Sequence, residues 1–325
     1  MRLIGGLAVA LALALLLSLL VGEAPLNLAQ IGGAFSHPGS PPGEVIFQLR
    51  APRALAAALV GAALGLSGAA LQGLLRNPLA DPAVLGVSSV SALGAAVAIA
   101  CGLAAAPFVV EGAALGGALL AGAIVTALAL RLAEPQSLIL FGVALSAAGG
   151  AATALVFNLS PSPVATSEVL SWLMGSVANR SWGDLGAAVA PLVIGATLCL
   201  ASARGLAMLT LGEEAAATSG LPMTRLRAFA VAGAAILTGA SVAMAGVVGF
   251  VGLAAPHLVR RAADEDPARA LAPSALAGAA LVVAADLAAR VVPTAEELRL
   301  GVVTGLFGAP LFALVAWRAG RSWRG

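Results

Sequence analysis

Long apolar runs recur along almost the whole chain and are separated by short polar connections. Ten of these runs approach the roughly 17 to 25 residues that a helix needs to cross about 30 Å of hydrocarbon. They lie at residues 3–22, 53–73, 84–104, 111–130, 138–158, 185–203, 228–246, 247–263, 271–289 and 300–317. The pattern predicts an all-α, polytopic membrane protein with about ten transmembrane helices, in which residues 1–325 form a single transmembrane domain.

Two of the ten runs could be something other than membrane spans. The first follows Arg2 like a secretory signal, but it is longer than the usual 7 to 15 residues of a signal core, so we interpret it as a span. The eighth is interrupted by Pro256 and His257. With ten spans and an internal N-terminus, twelve arginines face the cytoplasm and five face outward, whereas deleting the eighth span gives eight and nine. Because cytoplasmic loops are enriched in arginine, this favours ten spans with both termini in the cytoplasm.

The composition excludes several classes of protein. The chain is 60% hydrophobic and only 10% charged, with a mean hydropathy of +1.02, which excludes a soluble enzyme. All seventeen basic residues are arginine, so there is no lysine for a Walker A motif, and we expect no catalytic residues. Two histidines and two cysteines give no basis for a metal site or a cofactor of the protein's own. The net charge of +2, spread over loops, gives no surface for nucleic acid.

Three connections are longer than two helices require. Residues 23–48, predicted outside the membrane, are rich in glycine, proline and serine and are predicted to be irregular. Residues 159–184, also external, predict a short helix with Thr166 or Ser167 as its N-cap and Gly175 at its end. The longest cytoplasmic connection, residues 204–227, contains a second short helix with acids in its first turn and glycine at its end, an arrangement that complements the helix dipole. Alone it is an ordinary surface helix; as the longest inner loop we interpret it as a docking surface.

Several motifs resemble one family of membrane permeases. Glu214, Ala215 and Ala216, followed four residues later by Gly220, resemble the EAA loop by which permeases of ABC importers dock on their ATPases. Further motifs resemble the FecCD/BtuC family, in order and at similar spacings over residues 46–317. They are RAPR at 50–53, QGLLRNPLADP at 72–82, LGVS at 85–88, GFVGL at 249–253, PH at 256–257, GVVTG at 301–305 and GAP at 308–310. Arg299 departs from the family, in which proline is expected before the final span.

The resemblance implies an architecture and a set of partners. It implies a type II ABC importer permease bundle in the cell (inner) membrane, surrounded by lipid. A second copy of the chain or a close homologue would complete the pathway, and a separate cytoplasmic ATP-binding subunit would bind in two copies. A periplasmic or extracellular solute-binding protein would deliver an iron siderophore, haem or cobalamin, and the sequence does not choose among these cargoes.

The resemblance also assigns roles to residues at the outer face. Arginines at the positions of Arg50, Arg53 and Arg290 pair in the family with acidic residues of the binding protein. Arginine suits this role because its planar guanidinium holds a carboxylate through two hydrogen bonds. The alternative is that these side chains extend to the membrane interface, and Arg290 has a possible internal partner four residues earlier in Asp286.

Further roles follow for the inner loop and the pathway. The residues expected to dock the ATPase are Gly212, Glu213, Glu214, Ala215, Ala216 and Gly220. Asn77 and Pro78 would border the inner gate, and Trp172 would lie beside the outer mouth. The alternatives are an ordinary polar turn and an interfacial aromatic anchor.

Two other classes of membrane protein compete with this interpretation. An ion-coupled secondary transporter of a small solute needs acidic residues or a broken helix near the membrane midplane. The acids nearest to such a position, Asp286 and Glu111, lie toward the predicted outer surface. A membrane-embedded enzyme would need a catalytic motif such as HExxH within a span, and the sequence contains none. The sequence therefore favours an importer permease.

Overall fold

The computed structural model describes residues 2–22, 25–131, 135–160, 162–292 and 297–322, and in these ranges the chain is helical without strands. The long helices are α1 (Arg2–Leu20), α4 (Ala51–Leu75), α5 (Val87–Ala100), α6 (Val109–Arg131), α7 (Pro135–Leu159), α9 (Trp182–Ala201), α12 (Met223–Ala245), α14 (Pro267–Val291) and α15 (Leu300–Ser322). The shorter helices are α2 (Leu28–Ser36), α3 (Pro41–Glu44), α8 (Pro163–Leu173), α10 (Ala203–Leu209), α11 (Glu213–Thr218) and α13 (Val251–Arg260). The all-α membrane fold is confirmed.

Seven helical segments within the described ranges are long and apolar enough to cross a membrane. The third and eighth predicted runs form shorter helices than expected. A 3-10 turn at Pro82–Leu85 takes up the start of the third run, which leaves the 14 residues of α5. The eighth run forms the 10 residues of α13, because Gly246 and Phe250 have positive φ angles of 68° and 66° that interrupt the helix. Ten helical residues rise only about 15 Å.

The bundle has two ends that can be identified from side-chain contacts. Arg53, at the start of α4, bonds both Asp286 near the end of α14 and Glu297 just before α15. These helix termini define what we call the Arg53 end. The opposite end, where α4 stops before Asn77, is called the Asn77 end. The 25 residues of α4 separate the two by about 37 Å.

The segment that contains α13 returns the chain from the Arg53 end to the Asn77 end. The N–H of Ser176 donates to the carbonyl of Ala245 at the end of α12 (2.8 Å), and the N–H of Leu300 donates to Gly175 (2.9 Å). Since α12 and α14 both finish at the Arg53 end, residues 246–266 run back between them. The eighth predicted span is thus a crossing that is helical over only part of its length.

Small residues allow α4 to lie at the centre of the bundle. Of the apolar windows, 78% of the window that includes α4 and 78% of that in α12 are buried, compared with 17% in α7 and 6% in α1. Added Cβ atoms on three glycines of α4 would lie far inside van der Waals contact of backbone oxygens: Gly61 against Gly278, Gly65 against Ser274, and Gly68 against Gly252. Backbone contact of this kind replaces the hydrophobic driving force that is absent in lipid.

Glycines four residues apart in an apolar helix predict close packing against another helix, and this is confirmed for Gly61 and Gly65 but not for Gly112 and Gly116. Added Cβ atoms on the latter two would meet no atom within 4 Å. The close contact of α5 with α6 is formed instead one position further on, where Gly117 lies against the carbonyl of Val90. One residue on a helix rotates the side chain by about 100°, so a spacing alone does not identify the packed face.

Residues 23–48, expected outside the membrane, were predicted to be irregular, and the irregularity is wrong. It contains α2, α3 and a π-helical turn at Val45–Arg50. Helix α2 begins with a capping box, in which the Asn27 side chain accepts the N–H of Gln30 (2.8 Å) and the Gln30 side chain accepts that of Asn27 (2.9 Å).

The short helix in residues 159–184 exists but begins earlier than predicted. Its N-cap is Ser162, whose hydroxyl accepts a backbone N–H at 3.2 Å, and Pro163 occupies the first helical position. The expected caps Thr166 and Ser167 therefore lie inside α8. Proline at the first helical position has its φ already set for a helix, which favours the earlier start. The predicted end at Gly175 is confirmed by its φ of 73°.

We predict that Gly61→Ala will destabilise the bundle. The added methyl would overlap the carbonyl of Gly278, and relief requires α4 and α14 to separate, at a cost of about 1 to 3 kcal/mol. The midpoint of thermal unfolding of the purified protein in detergent should fall by several degrees. Gly112→Ala makes the same chemical change where an added Cβ meets no atom and should leave the midpoint unchanged. Equal midpoints for the two variants would contradict the packing role of Gly61.

Candidate functional site

Two arginines cap the end of α1 at the Arg53 end. The last carbonyl groups of an α-helix lack intrahelical donors and carry partial negative charge. Arg50, from the turn before α4, and Arg290, from the end of α14, supply those donors. Their Nη1 atoms donate to the carbonyl oxygens of Ser18, Leu19, Leu20 and Val21 at distances of 2.8 to 3.3 Å. Three parts of the sequence are thereby joined at one helix terminus.

Asp286 connects Arg290 to Arg53. Its side chain is only 2% exposed and accepts from Nε and Nη2 of Arg53 at 3.0 and 2.8 Å, and also from Nη2 of Arg290. Arg53 donates in addition from Nη1 to Glu297 at 3.1 Å and from Nη2 to the other oxygen of that carboxylate. Two guanidinium groups and two carboxylates thus compensate one another, which is the condition under which charges are tolerated in a buried position.

The π-helical turn that presents Arg50 has a local cause. The N–H of Ala51 donates to the carbonyl five residues back, which leaves the carbonyl of Phe47 without its usual α-helical donor. A donor from the following residue is impossible because Pro52 has no N–H. The indole Nε1 of Trp182, at the start of α9, donates to this oxygen at 2.9 Å. The sequence analysis did not identify Trp182. The signal in the sequence was Pro52, directly after the helix start, because a proline lacks the N–H that a preceding carbonyl would otherwise accept.

The structure brings together the three arginines that were expected to dock a binding protein, and it shows that each already has partners within the chain. The exposed fraction is 5% for Arg50, and for the side chains of Arg53 and Arg290 it is 15% and 2%. The pairing of Arg290 with Asp286, the alternative raised by their spacing, is present. The docking role itself stays a prediction. The contact of Arg53 with Glu297 joins positions 244 residues apart and has no signal in the sequence.

The predicted inner docking loop forms the short helix α11. Gly212 precedes it with a φ of 105°, and Glu213 in its first turn pairs with Arg227 at the start of α12. Glu214 and Ala215 are exposed. The ion pair fixes the orientation of α11 relative to α12, so the exposed face of α11 is held in one position on the bundle.

The end of α11 is closed by glycine, as predicted. Gly220 has a φ of 85°, a left-handed conformation that favours glycine. The following N–H, from Leu221, donates to the carbonyl of Ala216 at 3.1 Å, which satisfies a carbonyl of the last helical turn. The side chain of Ala216 is fully buried and anchors the helix. Helix α11 is therefore a defined element with one buried side and one open side.

Asn77 and Pro78 form a turn at the Asn77 end. Helix α4 ends at Arg76, which has a φ of 48°, and the Asn77 side chain then accepts the N–H of Leu79 at 2.9 Å. The turn borders a cavity of about 260 Å³ between α4, α13 and the start of α14, to which Arg260 also contributes. The polar side chain thus has a structural role, and the gate function stays a prediction.

Asp81, in the connection between α4 and α5, is a buried carboxyl group outside the spans. Its side chain accepts the N–H of Ala83 at 2.7 Å and caps the 3-10 turn. Burial raises the pKa of Asp81 to about 6, and the hydrogen bond from Ala83 opposes that rise. The connection next to the Asn77 turn therefore holds an acid that is partly protonated in mildly acidic solution.

Trp172 lies on α8 at the Arg53 end. It lines a cavity of about 320 Å³ together with Glu168, Asn179, Arg180 and Arg299. Arg180 is held by Glu111 at 2.9 Å. Arg299, which stands where the family was expected to have proline, contributes its side chain to this cavity. Trp172 thus lines a cavity, and its outer-mouth role stays a prediction.

Comparison with known proteins gives consistent matches over nearly the whole chain. A model of the FecCD transport family matches residues 10–318. The cobalamin import system permease protein BtuC of Halobacterium salinarum is 40% identical over 274 residues, covering 82% of this chain and 72% of that protein. The vitamin B12 import system permease protein BtuC of Escherichia coli O6:H1 is 39% identical over 320 residues, covering 97% and 94%. A solved structure described as an inward-facing conformation of a metal-chelate type ABC transporter matches with a TM-score of 0.87 and 31% identity, covering 98% of this chain and 99% of that chain.

We predict that Asp81→Asn will stabilise the protein at neutral pH. Because the folded-state pKa of Asp81 is raised, its favourable contribution is present at low pH and is lost as the pH rises through about 6. Asparagine keeps an acceptor oxygen for Ala83 without the charge. The gain should be about 1 to 3 kcal/mol near pH 7.5 and should shrink as the pH is lowered toward 4, measured from thermal unfolding midpoints in detergent. A gain that does not change with pH would contradict burial of the charge as its cause.

Proposed function

The chain belongs to the FecCD transport family, and we propose that it forms the membrane pathway through which an ABC importer carries cobalamin. It is the permease subunit of such an importer, of the cobalamin or metal-chelate type. Cobalamin is proposed as the cargo because the chain is 39% identical to a vitamin B12 import permease over 97% of its length. The expectation from sequence included iron siderophores and haem as well, and the names of the curated relatives favour cobalamin over both.

The chemistry of the chain agrees with a cargo that carries its metal already enclosed. Within the described ranges, no group of three or more histidine, cysteine, aspartate or glutamate side chains is placed to hold a metal ion. A permease for a chelate does not need such a group, because the ligand supplies all the metal's donors. Recognition of the cargo then belongs to the delivering protein, and the permease needs only a pathway of suitable width.

An ion-coupled secondary transporter is not favoured by these observations. Coupling needs an acid near the midplane that can change its protonation or bind an ion. Asp286, the most buried acid among the described spans, is at the Arg53 end and is occupied by two arginines. Glu111 is paired with Arg180.

The proposed orientation places the Arg53 end outside and the Asn77 end, with both termini, in the cytoplasm. The distribution of arginines along the sequence supports this orientation. The largely exposed helices α1 and α7, which have 6% and 17% of their apolar windows buried, leave apolar faces for lipid and for a second copy of the chain or a close homologue. A solute-binding protein would dock at the Arg53 end through Arg50, Arg53 and Arg290.

A separate ATP-binding subunit, one for each permease, is proposed to dock on α11. The exposed face of this helix carries Glu214 and Ala215, while Ala216 and the Glu213–Arg227 pair fix it to the bundle. A helix fixed in this way can transmit movement of the ATPase to α12. Asn77 and Pro78 would border the inner gate of the pathway, and Trp172 would border the outer mouth.

We predict ATP-dependent cobalamin uptake by the reconstituted importer. Proteoliposomes that contain the chain, its ATPase and its binding protein should accumulate labelled cobalamin in the presence of MgATP, and a ferric siderophore should not replace it. The chain alone should be inactive, because it has no lysine for a nucleotide-binding loop. Uptake by the isolated chain under a proton or sodium gradient would overturn the importer assignment.

We predict that Gly220→Pro will release the ATPase. Proline fixes φ near −65° and removes the N–H, whereas Gly220 has a φ of 85° and donates to Ala217, so the cap of α11 cannot form. The expected loss of about 3 kcal/mol corresponds to ATPase binding that is more than a hundredfold weaker. Gly220→Asn, which tolerates the left-handed conformation, should bind almost as well as the wild type. Normal ATPase binding by a correctly inserted Gly220→Pro protein would exclude α11 as the docking element.

A further inference from the structure

Both edges of the Arg53 guanidinium that can hold a carboxylate through two hydrogen bonds are occupied by carboxylates of its own chain, which engage four of its five N–H donors. Nε and Nη2 donate to Asp286 at 3.0 and 2.8 Å, Nη1 donates to Glu297 at 3.1 Å, and Nη2 also contacts Glu297. A planar guanidinium presents five N–H donors in two edges, and these contacts use both edges. An acidic group of a partner protein therefore finds no free edge of Arg53 in this conformation.

The two carboxylates differ in how firmly they are held. Asp286 is 2% exposed, lies within α14 and is shared with Arg290, so removing it would leave the buried Arg290 without its carboxylate and Arg53 with Glu297 alone. Glu297 is 20% exposed, lies in the non-helical residues that lead into α15, and is hydrogen-bonded to Arg53, while Arg290 attracts it electrostatically. Glu297 can leave Arg53 by movement of a short irregular segment, whereas Asp286 cannot leave without displacing a helix.

We propose that Glu297 is an internal substitute for the partner's carboxylate: it occupies the second edge of Arg53 until a carboxylate of the binding protein replaces it. This inference rests on the proposed docking at the Arg53 end. The exchange conserves charge, because one carboxylate leaves Arg53 as another arrives, and Asp286 keeps the guanidinium in position throughout. A partner must therefore bring a carboxylate that binds through two oxygens, which makes Glu297 a determinant of specificity.

The exchange has a direct route to the pathway. Glu297 is three residues before Leu300, whose N–H donates to Gly175 at 2.9 Å, and the N–H of Gly301 donates to Met174 at 3.0 Å. These bonds join the start of α15 to the end of α8, beside the cavity lined by Trp172. Release of Glu297 would allow residues 297–299, which lead directly into this junction, to move. Docking would thereby change the position of the junction beside the Trp172 cavity.

The test compares Glu297→Gln with Glu44→Gln, which removes the same charge from an exposed position six residues before Arg50. The binding protein used is the one that stimulates ATP hydrolysis by the reconstituted importer. Its affinity is measured for each variant in lipid nanodiscs. The inference expects Glu297→Gln to bind about fivefold more tightly than the wild type at physiological salt, because the competing ion pair is lost. The control should bind with at most a small change, which reports the effect of net charge alone.

Three outcomes would count against the inference. Weaker binding by Glu297→Gln would mean that Glu297 supports Arg53 for docking and does not compete with the partner. Equal changes in the two variants would reduce the effect to net charge. Absence of binding by the wild-type chain would count against the proposed function itself, and so against the inference that rests on it. If Glu297→Gln inserts poorly, Glu297→Ala removes the same ion pair and is expected to give the same gain in affinity.

Discussion

The contact of bare backbone between α4 and its neighbours is the constraint on which the rest of this structure depends. Where Gly61 meets Gly278 and Gly68 meets Gly252, no side chain separates the helices. In lipid, where apolar side chains gain nothing by leaving water, such proximity supplies the dispersion contacts that hold the bundle together. This close packing also determines which charged side chains can meet, because Arg53 reaches Asp286 only when α4 and α14 lie this close. The side chain of Gln72 on α4 likewise reaches the carbonyl of Gly252 on α13 because these two helices lie close together.

The Arg53 end shows how a bundle with few charges manages those it has. Buried guanidinium groups must be paired with acceptors or counter-charges. The carbonyls at the end of α1 and the carboxylates of Asp286 and Glu297 meet this need. The same guanidinium groups thus contribute both to the integrity of the bundle and to proposed recognition. A loss of docking in an arginine variant therefore has to be separated from a loss of packing.

The sequence was sufficient where local chemistry determines the outcome. Hydropathy located the long helices, and Gly220 predicted the end of α11. The length of α13 was not predictable, because the positive φ of Phe250 is accommodated by a neighbour, Gly308, that is 58 residues away. The spacing of Asp286 and Arg290 revealed their pairing.

No spacing in the sequence indicates the contact between Arg53 and Glu297. The contact exists only because α4 packs against α14. The limit of sequence reasoning in this chain is therefore set by contacts between distant segments. Hydropathy identified most of the spans, but it carried no information about which charged side chains would meet at their ends.

The capping of α1 has a consequence for the order in which the protein is made. Helix α1 is synthesised before the residues that cap it, because the donors for its last carbonyls come from Arg50, about thirty residues later, and from Arg290, which lies 272 residues after Ser18. Until the ribosome has delivered α14, the end of α1 must find its hydrogen bonds in lipid headgroups or water. Helix α1 thus reaches its final environment only after α14 has been made.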